Sequence, residues 1–154
     1  MAKVTSASDN LVKLVEQFEG LFLKPYLCPA GVPTIGLGST YYENGKRVGL
    51  KDPAITKERA YELFRHTLKQ YEKDVDTYTR DDINQNQFDS LVDFAYNCGA
   101  GNLKASTLLK KVNENPNNPL IALEFKKWVK AGGKTLKGLE RRREAEIELY
   151  FKPI

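Results

Sequence analysis

The sequence predicts an α+β fold, mainly α, with a small β lobe joined to a larger helical lobe. Three observations carry this prediction. Turn-forming residues crowd one stretch, where Pro29, Gly31, Pro33, Gly36 and Gly38 leave no room for a helix. After Asp52-Pro53, apolar residues recur at three- and four-residue intervals almost to the end of the chain. A length of 154 residues with 41% hydrophobic content suffices for one domain, or for two small lobes sharing a helix. With no internal repeat and no low-complexity tract, residues 1–154 read as a single domain.

The first helix, over about residues 9–19, starts after Ser8 or Asp9 as N-cap and places Leu11, Leu14, Val15 and Phe18 on one face. Gly20 ends it. The β lobe covers about 21–52. Within it, Tyr41-Tyr42 and Lys46 to Val48 read as a hairpin, with Asn44-Gly45 supplying the positive φ angles of a tight turn. The helical lobe covers about 56–151. Thr56 caps a long helix carrying Ala60, Leu63, Phe64, Leu68, Tyr71 and Val75 on one face. Phe88, Leu91, Val92 and Ala95 mark the next helix, ended by Gly99 and Gly101. Another runs from about Ser106 to Val112, and Pro116 and Pro119 bracket a loop. The helix after that holds Leu123 and Trp128 and is closed by Gly132-Gly133. Leu139, Ile147 and Tyr150 line the last one.

A net charge of +4 favours acidic partners, which include nucleic acid, an anionic membrane surface and an anionic cell-wall polymer. The opening MAKVTSASDN is polar, and LVKLVEQF is charged and too short for a signal core or a span, so no export signal or membrane anchor is expected. Cys28 and Cys98 lie 70 positions apart and match no zinc spacing. In a reducing cytoplasm both are expected to be free thiols, with neither a metal site nor a disulfide.

Glu19, Cys28 and Thr34 follow at intervals of nine and six residues. Glu19 falls in the last turn of the first helix, at the negative end of the helix dipole. Glycosidases need a protonated carboxyl to donate to the leaving oxygen, and a second group to position water or attack the sugar. Glu19 suits the donor. Cys28, in a Pro-rich turn, is a conditional base because a thiol is mostly protonated at neutral pH. Thr34 can orient the same water. Each has a blander reading: a solvated helix-end glutamate, a packed thiol and an ordinary strand threonine. His66, the only histidine, invites a cysteine-protease pairing with Cys28, but it lies mid-helix at a solvent-facing position with no orienting partner. A nucleic-acid-binding protein is the non-enzyme alternative. Against it, the charges alternate in sign, as in RRREAEIE, and no recognition motif appears.

The stretch FEGLFLKPYLCPAGVPTIGLGST resembles the active-site segment of phage-type lysozymes, the endolysins of glycoside hydrolase family 24. That family usually reads E-G, Y-x-D and T-I-G-x-G-H, at the same nine and six spacing. QFDSLVDFAYNCGAGNLKASTLLKKVN and FKKWVKAGGKTLKGLERRREAEIELY resemble its helical core and its Trp- and Arg-rich C-terminal segment. The resemblance covers about residues 11–151. It implies a lysozyme-like fold with the active-site cleft between the lobes, Glu19 as general acid, and Thr34 as a holder of the water. Cys28 stands in the place of the usual aspartate, and Ser39 where the family often has histidine. The thiol leaves the base open and admits a double displacement through a thioglycosyl intermediate.

Tyr26, Asn97, Ser106, Thr107 and Arg142 lie in segments that face the substrate in the family, although Ser106 equally suits an N-cap and Tyr26 a core position. Of Arg141, Arg142 and Arg143, at least one must be solvated, and one can brace Glu19. The resemblance further implies a muramidase acting on the β-1,4 bond between N-acetylmuramic acid and N-acetylglucosamine of peptidoglycan, with lytic transglycosylation as the alternative outcome. No metal or cofactor and no nucleic acid is implied. The expected protein is a monomeric endolysin that stays in the host cytoplasm until a holin releases it to the periplasm and cell wall.

Overall fold

The computed structural model describes residues 3–154. Its elements run α1 (Asp9–Glu19), β1 (Phe22–Leu27), β2 (Pro33–Gly36), α2 (Lys57–Tyr78), α3 (Gln85–Cys98), α4 (Ala100–Ala105), α5 (Thr107–Glu114), α6 (Ile121–Lys126), β3 (Lys130–Ala131), β4 (Lys134–Thr135) and α7 (Lys137–Tyr150). The chain divides into two compact units, one of residues 13–69 and the other of the segment up to Val12 together with Gln70–Ile154.

In the unit of residues 13–69, β1 and β2 form a two-stranded antiparallel sheet, with Tyr26 opposite Thr34 and Leu27 opposite Pro33. The register shifts between Phe22 and Tyr26, around Pro25, which has no N–H to give to a ladder. Gly36, at φ 70°, turns the chain where a Cβ would lie 3.5 Å from that of Ala60 on α2. Ile35, Val48 and Leu63 form the core here, with Tyr42 and Ile55 packed on it. The expected hairpin of Tyr41 to Val48 is reduced to a bridge between Tyr41 and Arg47. Of its turn residues only Gly45 has positive φ. Asn44 instead accepts a hydrogen bond from the Lys46 N–H at 2.9 Å, the local side-chain bond that asparagine makes in turns. Beside it a cavity of about 590 Å³ is lined by residues that include Arg59, Glu43, Tyr42 and Asp52. Both of its carboxylates are satisfied internally. The Arg59 guanidinium holds the Glu43 carboxyl down to about 2, and Tyr42 donates to Asp52 at 2.8 Å.

The helical unit is built around α3, which is buried on every side from Asn86 to Ala95. Asn84 and Gln87 form a reciprocal capping box at its start. Edge-on aromatic contacts link Phe94 to Phe125 and Trp128, and Phe125 to Tyr150, at 5.3 to 6.0 Å between ring centres. Gly99 caps α3 as expected, but Gly101 lies inside α4. α6 ends at Lys126, before Trp128, and Gly132-Gly133 form the turn between β3 and β4 instead of closing a helix. α7 buries Leu149 and Tyr150, and with them Arg142, Arg143 and Glu146. Such burial is tolerable only because the charges meet partners on α3 and within α7 itself. Arg142 grips Asp93 through Nε at 3.0 Å and Nη2 at 2.7 Å, and Arg143 lies 2.8 Å from Glu146. Burial and the neighbouring Asp93 push the Glu146 carboxyl well above its ordinary value. Burial alone would raise Asp93 too, but its bond to Glu146 and the charge of Arg142 outweigh that and hold it below its ordinary value.

Candidate active site

The site begins at the end of α1. Ser8 caps the helix start, accepting from the Asn10 N–H at 3.2 Å. At the other end, the N–H of Gly20 bonds to the Glu16 carbonyl at 2.8 Å. Gly20 adopts φ 77°, and a Cβ there would meet the Phe22 ring at 3.0 Å, so only glycine lets β1 fold back so closely past the helix end. Glu19 is thereby fixed, half-buried, at the mouth of the β hairpin.

Strand alternation supplies the other groups. Tyr26 lies opposite Thr34, so both side chains emerge on one face, and Cys28 follows directly after β1 at the start of the connecting turn. The loop between the strands is tied by the Cys28 N–H to the Val32 carbonyl at 3.1 Å and by the Gly31 N–H to the Cys28 carbonyl at 2.8 Å. Gly31 takes φ 77° to close it. The Val32 N–H foremost, then the Ala30 N–H and the Thr34 hydroxyl, hold the Cys28 thiol below its ordinary range, against the opposing effect of desolvation. Thr34 is buried, and its hydroxyl donates to the Val32 carbonyl at 2.8 Å. A hydroxyl has one proton, so Thr34 serves one acceptor at a time. The Tyr26 hydroxyl is held above its ordinary value first by burial, then by the charges of Glu19 and Cys28. Its ring stacks on Phe22 with centres 4.2 Å apart.

Glu19, Tyr26, Cys28 and Thr34 are thus gathered in one unit. The Val32 and Ala30 amides were not among the residues expected from sequence, although the Pro29-Ala30-Gly31 turn is the signal that could have found them. Ser39, in the family's histidine position, is buried with no hydrogen-bond partner for its hydroxyl among the described residues. His66 lies exposed on α2, and among the described residues it makes no hydrogen bond to Cys28.

The remaining expected substrate contacts lie in the other unit, and most are engaged in structural bonds. Ser106 caps α5, accepting from the Leu109 N–H at 3.0 Å and donating to the Leu103 carbonyl at 2.6 Å. Thr107 is exposed at the start of that helix. Asn97 accepts from Arg143, and Cys98, at the end of α3, also touches Arg143. Arg142 is 4% exposed and gripped by Asp93. Its expected role of reaching glycan is therefore not supported by its placement. Arg141 is the solvated member of the three.

The class of fold is defined by comparison with solved structures. An endolysin from Escherichia coli O157:H7 phage FAHEc1 superposes with a TM-score of 0.88 at 30% identity, covering 98% of this chain and 96% of that one. A P22 lysozyme variant gives 0.85 at 32% identity, covering 97% and 100%. The fold is therefore lysozyme-like, mainly helical α+β with a small N-terminal β hairpin. The phage lysozyme family model matches residues 16–146, and the chain belongs to that family. An endolysin of Bacillus phage B103 is 41% identical over 152 residues, which cover 96% of this chain and 54% of that protein. The chain spans about half the length of this relative and of the endolysin of Bacillus phage PZA.

Proposed function

We propose that this protein is a phage endolysin that hydrolyses the β-1,4 bond between N-acetylmuramic acid and N-acetylglucosamine in peptidoglycan, through Glu19, Cys28 and Thr34. Glu19 gives its proton to the leaving glycosidic oxygen. A water held by Thr34 attacks the anomeric carbon from the opposite face and passes its proton to the Cys28 thiolate. The new C–O bond to water replaces the broken glycosidic bond, leaving Glu19 ionised and Cys28 protonated, and proton exchange with solvent returns both groups to their starting state. Tyr26 lines the same face and binds the sugar.

The observation that carries this reading is the placement of Glu19 at the end of α1, with Cys28 and the buried Thr34 on the hairpin that follows it; the Cys28 thiol held below its ordinary range supports a base at that position. Membership of the phage lysozyme family supports the substrate. Among the described residues no helix is long and apolar enough to cross a membrane, which fits release to the wall by a holin. The test is Glu19→Gln in a turbidity assay on outer-membrane-permeabilised bacteria. It should abolish clearing while leaving the circular dichroism spectrum unchanged. Normal clearing would remove Glu19 from the mechanism.

A further inference from the structure

Positive charge is distributed unevenly along this chain. Between Lys126 and Gly138 lie five of the 24 basic residues and none of the 20 acidic ones, so the rest of the protein is slightly acidic. The whole net charge of +4 therefore resides in this one segment.

The segment is a ribbon. β3 and β4 pair with Lys130 opposite Thr135 and Ala131 opposite Lys134, which turns Lys130 and Lys134 to opposite faces. Gly132 at φ 59° and Gly133 at φ 78° form its two-residue turn, and a Cβ on either would meet nothing within 4 Å. Every residue from 130 to 138 is exposed. The root, by contrast, is fixed. The Leu136 N–H bonds to the Val129 carbonyl at 2.9 Å, Trp128 packs on Phe94, and Arg143 donates to the Trp128 carbonyl at 3.3 Å.

Among the described residues, one of the segment's five basic side chains meets a carboxylate. Lys127 pairs with Glu124 at 2.9 Å, but Lys126, Lys130, Lys134 and Lys137 have no acidic partner among the described residues. Lys137 opens α7, where the positive helix end disfavours a cation. A polyanionic partner would supply the counter-charges that the fold does not. A lipid surface suits the ribbon poorly, because Leu136 is the sole large apolar side chain between 130 and 138.

We propose that residues 126–138 dock the protein on the carboxylates of peptidoglycan stem peptides, holding it on the wall between cuts. Lysines on both faces suit a ribbon that enters a mesh with carboxylates on either side. The proposal rests on peptidoglycan being the substrate.

The test uses the Glu19→Gln chain, with and without Lys130→Ala, Lys134→Ala and Lys137→Ala, in co-sedimentation with sacculi stripped of phosphate polymers. The lysine variant should bind about tenfold more weakly at roughly 0.05 M salt, and the gap should close at about 0.5 M, where the screening length falls to a few ångströms. Amidating the sacculus carboxylates should weaken the parent to the level of the variant. Equal binding by parent and variant overturns the proposal. So does a gap that appears only on walls retaining their phosphate polymers, or only on anionic phospholipid vesicles. In the Glu19 background, the lysine variant should cleave peptide-free glycan strands at the parental rate. If the parent leaves those strands intact, the proposed function fails, while the sedimentation result still decides the ribbon's role.

Discussion

Replacing Cys28 with aspartate changes the base and leaves its surroundings in place. The Val32 and Ala30 amides and the Thr34 hydroxyl that stabilise a thiolate would equally stabilise a carboxylate. An ordinary thiol titrates near pH 8.5 and an ordinary aspartate near 3.9. The shared donors pull both down, so the two should stay roughly 4 units apart. At about pH 6 an ordinary thiol is well under 1% ionised, whereas a carboxylate is almost fully ionised, a difference of roughly three-hundredfold in competent base. The acid-side limb of the pH–rate profile should therefore lie below the ordinary thiol range in the parent, and roughly 4 units lower still in Cys28→Asp. Clearing of permeabilised cells, followed across pH at constant ionic strength, measures both limbs. Coincident limbs would show that residue 28 is not the titrating base. An unimpaired Cys28→Ala would reduce the thiol to packing.

Thr34→Val should lower kcat by about a hundredfold and Thr34→Ser should retain most activity, since the hydroxyl and not the methyl orients water; steady-state rates on glycan strands check this. Asp93→Asn leaves the Arg142 guanidinium buried without its counter-charge and should destabilise the protein by about 3–5 kcal/mol, with much of the loss recovered in Asp93→Leu/Arg142→Met, as measured by urea unfolding. Ser106→Ala should cost about 1 kcal/mol of stability through the lost cap while leaving KM unchanged. A raised KM at unchanged stability would instead return Ser106 to the substrate.

What the sequence revealed was chiefly what depends on near neighbours. The cap at Ser8, the stop at Gly20, the cap at Thr56 and the end of α3 at Gly99 follow from local backbone chemistry, and all are found where expected. The grouping of Glu19, Tyr26, Cys28 and Thr34 in one unit is legible for the same reason, since all four lie on one helix end and one short hairpin. Gly132-Gly133 misled because a pair of glycines ends a helix and turns a ribbon equally well, and only the pairing of Lys130 with Thr135 distinguishes the two. The burial of Arg142 and Arg143 could not be read from α7 alone, whose stripe of charges looks solvated. It depends on Asp93, 49 positions earlier on α3. The sulfur's donors were missed because they are backbone groups, which every residue but proline carries.

The most direct measurement is mass spectrometry of the muropeptides released from purified sacculi in ¹⁸O-labelled water. Hydrolysis at the muramic acid carbon predicts reducing ends that carry one labelled oxygen, and their loss in Glu19→Gln. Products ending in 1,6-anhydromuramic acid, one water lighter and unlabelled, would contradict the proposed attack by a water held between Thr34 and Cys28. Cleavage confined to the stem peptides would contradict glycosidase action altogether.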